Sequence, residues 1–240
     1  MTRTAIIAAM SGELKPLVRG WRHERSNGVD LWCRRFDQGE WIAACAGAGV
    51  NAATRAFAEA EKSGALDVVI STGWAGALRG DLAPGQVCDV SSVIDARTGE
   101  RFVAAGPPSN FWLVTSSRVA DVHEKRRLAE TYEASLVDME AAGVARLAQI
   151  RGIPFYCIKG ISDGYRDQLP DFNRFISVNG QFQLGRFIVF VLLRPWYWRP
   201  LARMGENSKK AAQGIAKSLL DFLGEQGQTD RHNGYPNLTN

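Results

Sequence analysis

Two carboxylates stand just past the ends of apolar runs, and a third opens a helical stretch. Glu13 closes Met10-Ser11-Gly12-Glu13, after the run at 4–9. Asp163 lies in Ile161-Ser162-Asp163-Gly164, after Pro154-Phe155-Tyr156-Cys157-Ile158-Lys159-Gly160. Glu140 follows Asp138-Met139 and opens an amphipathic stretch, where a helix dipole favours a carboxylate and lowers its pKa. Gly73 and Gly76, around Trp74, follow a third apolar run at 67–72. Carboxyl groups in such places can exchange protons with a ligand when their surroundings tune them. Each also has a plainer explanation alone. Glu13 and Glu140 are ordinary charges for a first helical turn, Asp163 before Gly164 is ordinary turn chemistry, and the glycines can simply turn the chain.

Alternating elements must position these groups. Residues 4–9 read as a buried strand and 11–20 as a short helix that Ser11 caps. Residues 30–36 and 40–46 read as a hairpin, with Asp37-Gln38-Gly39 at its turn. Gly47-Ala48-Gly49 leads into a helix at 51–62, and strands follow at 67–72 and 86–94. Beyond a turn-rich stretch at 95–111 come a strand at 112–115, helices at 120–130 and 139–150, and a strand at 154–160. The last quarter reads as mostly helical, with a frayed tail at 225–240. Several strands are apolar on both faces. The expected fold is therefore α/β, a three-layer sandwich whose central mixed sheet is flanked by helices. Ligands of such sheets bind beyond the carboxyl ends of the strands, which points to 10–13, 73–76 and 161–164.

Composition narrows the classes. The 240 residues are 45% hydrophobic, enough for a real core, and the net charge of +4 is too mild to indicate nucleic acid. Cys33, Cys45, Cys88 and Cys157 form no C-x-x-C pair, so reduced thiols are expected, with no metal and no cofactor. The chain shows neither a signal-like start nor an apolar run long enough to span a bilayer, which suits a cytoplasmic protein. Charge is concentrated late. Residues 185–217 carry seven Lys or Arg against the single acid Glu206. There the run Phe187-Ile188-Val189-Phe190-Val191-Leu192-Leu193 precedes Arg194-Pro195-Trp196-Tyr197-Trp198-Arg199. An apolar run with clustered Trp, Tyr and cations suits either the membrane interface, at the inner face, or a subunit contact.

Four blocks together resemble the nucleoside phosphorylase and nucleosidase superfamily, especially the nucleosidases of methylthioadenosine and S-adenosylhomocysteine. They are Ile6-Ile7-Ala8-Ala9-Met10-Ser11-Gly12-Glu13; Gly47-Ala48-Gly49-Val50-Asn51; Ser71-Thr72-Gly73-Trp74-Ala75-Gly76; and Val137-Asp138-Met139-Glu140 followed by Ile161-Ser162-Asp163. The resemblance covers about 4–165 and implies a nucleoside phosphorylase-like fold, a purine nucleoside substrate and a homodimer. It implies Asp163 as the acid that protonates N7 of the leaving base, and Glu13 as the base on an attacking water. Glu140 would hold the ribose hydroxyls and Met139 would pack on the sugar. Ser162 would orient Asp163, Lys159 would tune the carboxylates, and Gly73 and Trp74 would belong to the substrate site.

Phosphorylases of this superfamily carry an arginine in the loop after the first strand. Here that loop holds Glu13 and no arginine before Arg19, which favours water over phosphate. Arg55, Arg79 and the amides of Gly47-Ala48-Gly49 remain alternative anion ligands. Trp74 replaces a small residue, Thr115-Ser116-Ser117-Arg118 departs from the family pattern, and the aromatic that stacks on adenine has no counterpart near Val119-Ala120. Phe111, Trp112 and Phe155 are the substitutes in view.

The C-terminal part departs further. Phe172-Asn173-Arg174-Phe175-Ile176, Gly180-Gln181-Phe182, Gly185-Arg186 and Arg194-Pro195 resemble hopanoid-associated members, implied to release adenine from adenosylhopane. The expected organisation is one domain over 1–224, with a basic, aromatic helical extension at 166–224. Competing readings are a phosphorylase, a methylthioadenosine or S-adenosylhomocysteine nucleosidase, and a nucleoside-binding module without turnover.

Overall fold

In the computed structural model, residues 2–36, 39–177 and 179–232 are described, with side chains of the last helix as far as Leu223. The first apolar run is β1 (Thr2–Ala8), and its side chains alternate between two cores. Ala5 and Ile7 enter one buried cluster, Ile6 and Ala8 the other. Helices α2 (Val50–Glu61) and α4 (Ala141–Arg151) cover the first face through Ala53, Ala56, Phe57, Val144 and Ala148. Helix α6 (Trp198–His232) covers the second through Ile215, Ala216, Leu219 and Leu223. A third, smaller cluster seats Leu128 of α3 (Val122–Tyr132) on Ile94, Val114 and Val137. These are the three layers that the sequence implies.

Strand β5 (Val68–Ala77) organises the sheet. Its first half lies parallel to β1, and β1 lies parallel to β4 (Gly39–Cys45). Its last residues run antiparallel to β10 (Leu136–Asp138). Along its other edge β11 (Phe155–Asp163) runs parallel over most of its length. The loop after β1 and the far ends of β5, β10 and β11 therefore meet at one end of the sheet. That is where the rule for α/β sheets puts a ligand.

The structure departs from the sequence reading in definite places. Residues 73–76 and 161–163 do not follow their strands but continue them, as the far ends of β5 and β11. Helix α1 is only Ser11–Leu14, and Ser11 lies inside it rather than capping it. Pro16 supplies no N–H, and the chain turns instead through Leu17 and Val18 onto the Leu14 carbonyl. The stretch 86–94 divides into β6 (Val87–Asp89), which pairs β11, and β7 (Ser92–Asp95), which pairs β8 (Arg101–Val103) and β9 (Trp112–Thr115). Strand β2 (Arg22–Ser26) is polar and pairs β3 (Val29–Phe36) alone, so no apolar alternation announces it. The antiparallel ladder of β3 and β4 closes at Phe36 and Gly39. The turn residues Asp37 and Gln38 lie outside the described residues, as does 233–240 of the expected tail. Residues 225–232, read as part of that tail, belong to α6.

Between β11 and α6 the chain makes a helical insert that includes α5 (Leu184–Leu192). Among the described residues no helix is long and apolar enough to cross a membrane.

Candidate active site

Glu13 is buried beside β5. Its Oε2 accepts from the backbone N–H groups of Ala9 and Met10 at 2.8 and 2.7 Å, and its Oε1 accepts from Trp74 N at 2.8 Å. Burial raises its pKa above the ordinary carboxylate value against these three amides and the field of Lys159. Gly73 makes the arrangement possible. Its φ is +121°, and a Cβ there would stand 2.7 Å from Glu13 Oε1. Gly73 thus lies beneath Glu13 rather than on the cavity wall, contrary to its assignment as a substrate contact.

Glu140 is the N-cap of α4 but caps nothing with its side chain. Its Oε1 accepts from Gly49 N at 2.6 Å and its Oε2 from Met139 N at 3.2 Å. Burial, reinforced by the charge of Asp138, pushes its pKa up to about 8. The sequence pointed the other way, to a dipole-lowered acid. Lost hydration and a like charge outweigh half a unit of dipole charge. Of the Gly47–Gly49 amides only that of Gly49 meets an anion, the chain's own Glu140, while those of Gly47 and Ala48 donate to the Ala9 and Gly180 carbonyls.

Beneath the site lies a buried ion pair, Lys159 to Asp138 at 2.9 Å. Asp138 also accepts from Thr115 Oγ1 at 2.7 Å and Ala141 N at 2.9 Å, while Lys159 donates to the Thr72 carbonyl at 3.1 Å. Lys159 therefore joins β11 to β5 and the start of α4. It is fully buried and does not line the cavity, so its place is under the carboxylates rather than in contact with a substrate. Its charge reaches Glu13 and Glu140 through space.

Asp163 ends β11 just past a register irregularity, the kind of bulge that re-aims a side chain. Ser162 Oγ donates to its Oδ1 at 2.6 Å. Lys125 from α3 donates to its Oδ2, and also to the Gly164 carbonyl at 2.7 Å. Lys125 is 2% exposed. The sequence analysis, which reads a helix at 120–130, does not single it out. The signal was its place on the stripe Val122, Lys125, Leu128, Ala129 and Tyr132, whose spacing marks one helix face.

Glu13, Met139, Glu140, Ser162 and Asp163 all line one cavity of about 920 Å³, together with Trp74 and Lys125. Trp74 is fixed by its indole N–H on the Ser208 carbonyl of α6 at 2.9 Å. Away from the carboxylates Phe172, Ile176, Phe182, Leu184 and Phe187 of the insert, with Leu201 and Met204 of α6, make much of the lining apolar, while Lys15, Arg19, Arg118 and Lys209 add cations to the wall. Asn173 ties the insert to the loop before α3, accepting from Val119 N at 2.8 Å and donating to its carbonyl at 3.0 Å. The three aromatic substitutes read from the sequence do not line this cavity. Phe155 is in the sheet core, Phe111 packs against it, and Trp112 lies under the Arg101 guanidinium. The cavity aromatics are Trp74 and three phenylalanines of the insert. Arg55 and Arg79 do not reach the cavity either: the first donates to the Ala46 and Asn179 carbonyls, the second pairs with Asp81.

The arrangement has the parts of a proton-transfer site. One carboxyl is held by a hydroxyl and an ammonium, a second by three amides, and a third faces the same space with its pKa raised.

Several solved structures share the fold. The 5′-methylthioadenosine/S-adenosylhomocysteine nucleosidase of Helicobacter pylori is 18% identical, with a TM-score of 0.70 over 93% of this chain and 98% of that one. The futalosine hydrolase of Helicobacter pylori is 17% identical, with a TM-score of 0.70 over 93% and 98%. The 5′-methylthioadenosine nucleosidase of Arabidopsis thaliana is 18% identical, with a TM-score of 0.68 over 98% of each chain. No curated protein matches the chain by sequence. The model of the phosphorylase superfamily matches residues 3–116 and 111–183, which take in β1 with Glu13, all of β5, the Asp138-Met139-Glu140 segment and β11 with Asp163. The chain belongs to the phosphorylase superfamily.

Proposed function

We propose that the chain hydrolyses the N-glycosidic bond of an adenine nucleoside whose 5′ position carries a large hydrocarbon. The observation that carries this reading is the one cavity with Glu13, Glu140 and Asp163 at one end and the apolar insert at the other. The solved relatives named as nucleosidases and as a hydrolase of futalosine support the bond class.

In this reading Asp163 gives its proton to N7 as the C1′–N9 bond breaks, so the bond electrons leave on a neutral base. Glu140 accepts from the ribose hydroxyls, and the positive charge growing at the sugar ring favours its ionised form, which offsets that charge. Met139 packs on the sugar. Glu13 takes a proton from the water that adds to C1′. Water is favoured over phosphate because the Ala9, Met10 and Trp74 amides, a ready anion cradle, already hold a carboxylate. A second anion there would meet its charge.

The cavity volume is near the upper end of the range of about 300–1,000 Å³ typical of ligand sites. Its apolar end suits a lipid-linked nucleoside, and adenosylhopane is the candidate that the C-terminal resemblance implies. Incubation with adenosylhopane and with methylthioadenosine, with and without phosphate, tests the reading. Adenine and a free ribosyl product, formed faster from the lipid and without phosphate, are expected. A 1-phosphate product would replace hydrolysis by phosphorolysis. Preference for methylthioadenosine would remove the hydrocarbon, and no adenine from either would remove the enzyme.

Delivery of such a substrate calls for a membrane contact, and α5 is suited to it. Leu184 and Phe187 face the cavity, while Val189, Leu192 and Leu193 are exposed, the last at 71%, with Trp196 at 66%. A helix apolar on both sides is normally buried. Exposed Arg186 stands in its first turn and exposed Arg199 and Arg203 follow it, as an anionic interface requires. The protein is expected to co-float with anionic phospholipid vesicles, and Leu193→Asp with Trp196→Asp to abolish this. A wild-type dimer that ignores vesicles and is split by the same pair would assign the face to a second subunit. A homodimer that persists in the variant agrees with our reading, in which subunits meet elsewhere.

A further inference from the structure

Lys125 is a buried lysine at the one carboxyl group to which the proposed reaction assigns the leaving proton. Its ammonium has three donors. One bonds Asp163 Oδ2 and one the Gly164 carbonyl. Burying a charge this deeply is costly unless the charge is paired, and a surface helix such as α3 gains nothing by aiming a cation inward for packing alone. The contact is also crowded into place. A Cβ on Gly76 would lie 3.1 Å from Lys125 Cε and 3.3 Å from Asp163 Oδ2, so the bare glycine of β5 leaves room for the pair. Lys159, the other buried lysine, is spent on Asp138.

We propose that Lys125 is the positioning residue of the proton donor: it fixes Asp163 by Oδ2 and compensates the carboxylate charge that appears when Asp163 gives its proton to the leaving base. This inference rests on the nucleosidase reading. The Asp163 O–H bond breaks and an N7–H bond forms, while the C1′–N9 electron pair goes to the base. Water adds to C1′ and its proton goes to Glu13. Asp163 is left as a carboxylate against the Lys125 ammonium, the pairing seen in the structure, and solvent returns the proton from Glu13 to Asp163. Ser162, on Oδ1, holds the other oxygen through a neutral hydroxyl and cannot supply that compensation.

The test compares two leaving groups on the same 5′-alkyl riboside, adenine and 4-nitrophenolate. The second departs as a stable anion and needs no acid. Lys125→Met is expected to lower kcat for the adenine nucleoside about 100-fold, the low end of acid–base contributions, with KM and the nitrophenyl riboside within about threefold of wild type. Lys125→Arg, which keeps the charge, is expected to recover at least tenfold of the loss. Lys125→Gln serves where Lys125→Met does not fold, as judged by thermal melting. A parallel loss on both substrates would make Lys125 merely structural, and an unchanged adenine rate would remove its role; either overturns the proposal. A wild-type protein that cleaves neither riboside removes the nucleosidase reading, and this inference with it.

Discussion

Asp163→Asn is expected to abolish release of adenine while the protein stays folded, with a loss of about 10²–10⁴-fold in kcat. The amide keeps the size of the carboxyl and can still accept from Ser162 or Lys125 through one oxygen. It has no acidic proton for N7, so the base must leave as an anion. The substitution also strips Lys125 of its counter-charge. Breaking a buried ion pair from one side costs about 3–5 kcal/mol, and the melting temperature should fall accordingly. The two effects separate cleanly. The loss of turnover should survive at temperatures where circular dichroism shows a native fold, and a 4-nitrophenyl riboside should still be cleaved. An adenine rate within about threefold of wild type would remove Asp163 from the acid role.

The sequence exposed the chemistry better than the scaffold around it. Glu13 and Asp163 could be singled out because each follows or ends an apolar run, Glu140 because it opens a helix, and Met139 and Ser162 through the family resemblance; all five line one cavity. Local pattern was less informative where the partner comes from far away in the chain. The bond from Asn173 to Val119 spans 54 residues and joins segments with no shared periodicity. Lys125 meets Asp163 across 38 residues. Gly73 was assigned to the right place but the wrong layer, since it lies beneath Glu13. The pKa of Glu140 was misread for a related reason: a dipole can be inferred from helix position alone, whereas burial and the proximity of Asp138 require the folded chain. Strands β2, β8 and β10 were missed because they are short or polar and are defined by their neighbours.

Glu13→Ala should be nearly as damaging as Asp163→Asn, and its damage should be repairable from outside. Removing the base on water is expected to lower kcat about 10²–10⁴-fold. It also empties a cradle of three backbone N–H groups, those of Ala9, Met10 and Trp74, which lose their acceptor together. Buried donors without an acceptor cost about 1–3 kcal/mol each, so a small anion that can reach them should bind. Formate has the two oxygens of the lost carboxylate and can take the proton from water in its place. Added formate is therefore expected to recover at least tenfold of the lost rate in Glu13→Ala and to leave the wild type unchanged, because Glu13 already occupies the cradle. The pH profile gives a second reading of the same group. Glu13 acts as a base only when ionised, and burial raises its pKa, so wild-type activity should fall on acidification at a pH above the ordinary carboxylate range near ~4.3. In the formate-rescued variant that limb should move toward the lower pKa of formate in water. Rescue without such a shift would assign the acid limb to another group, and Glu13→Ala at near wild-type rates would show that water needs no base at this position.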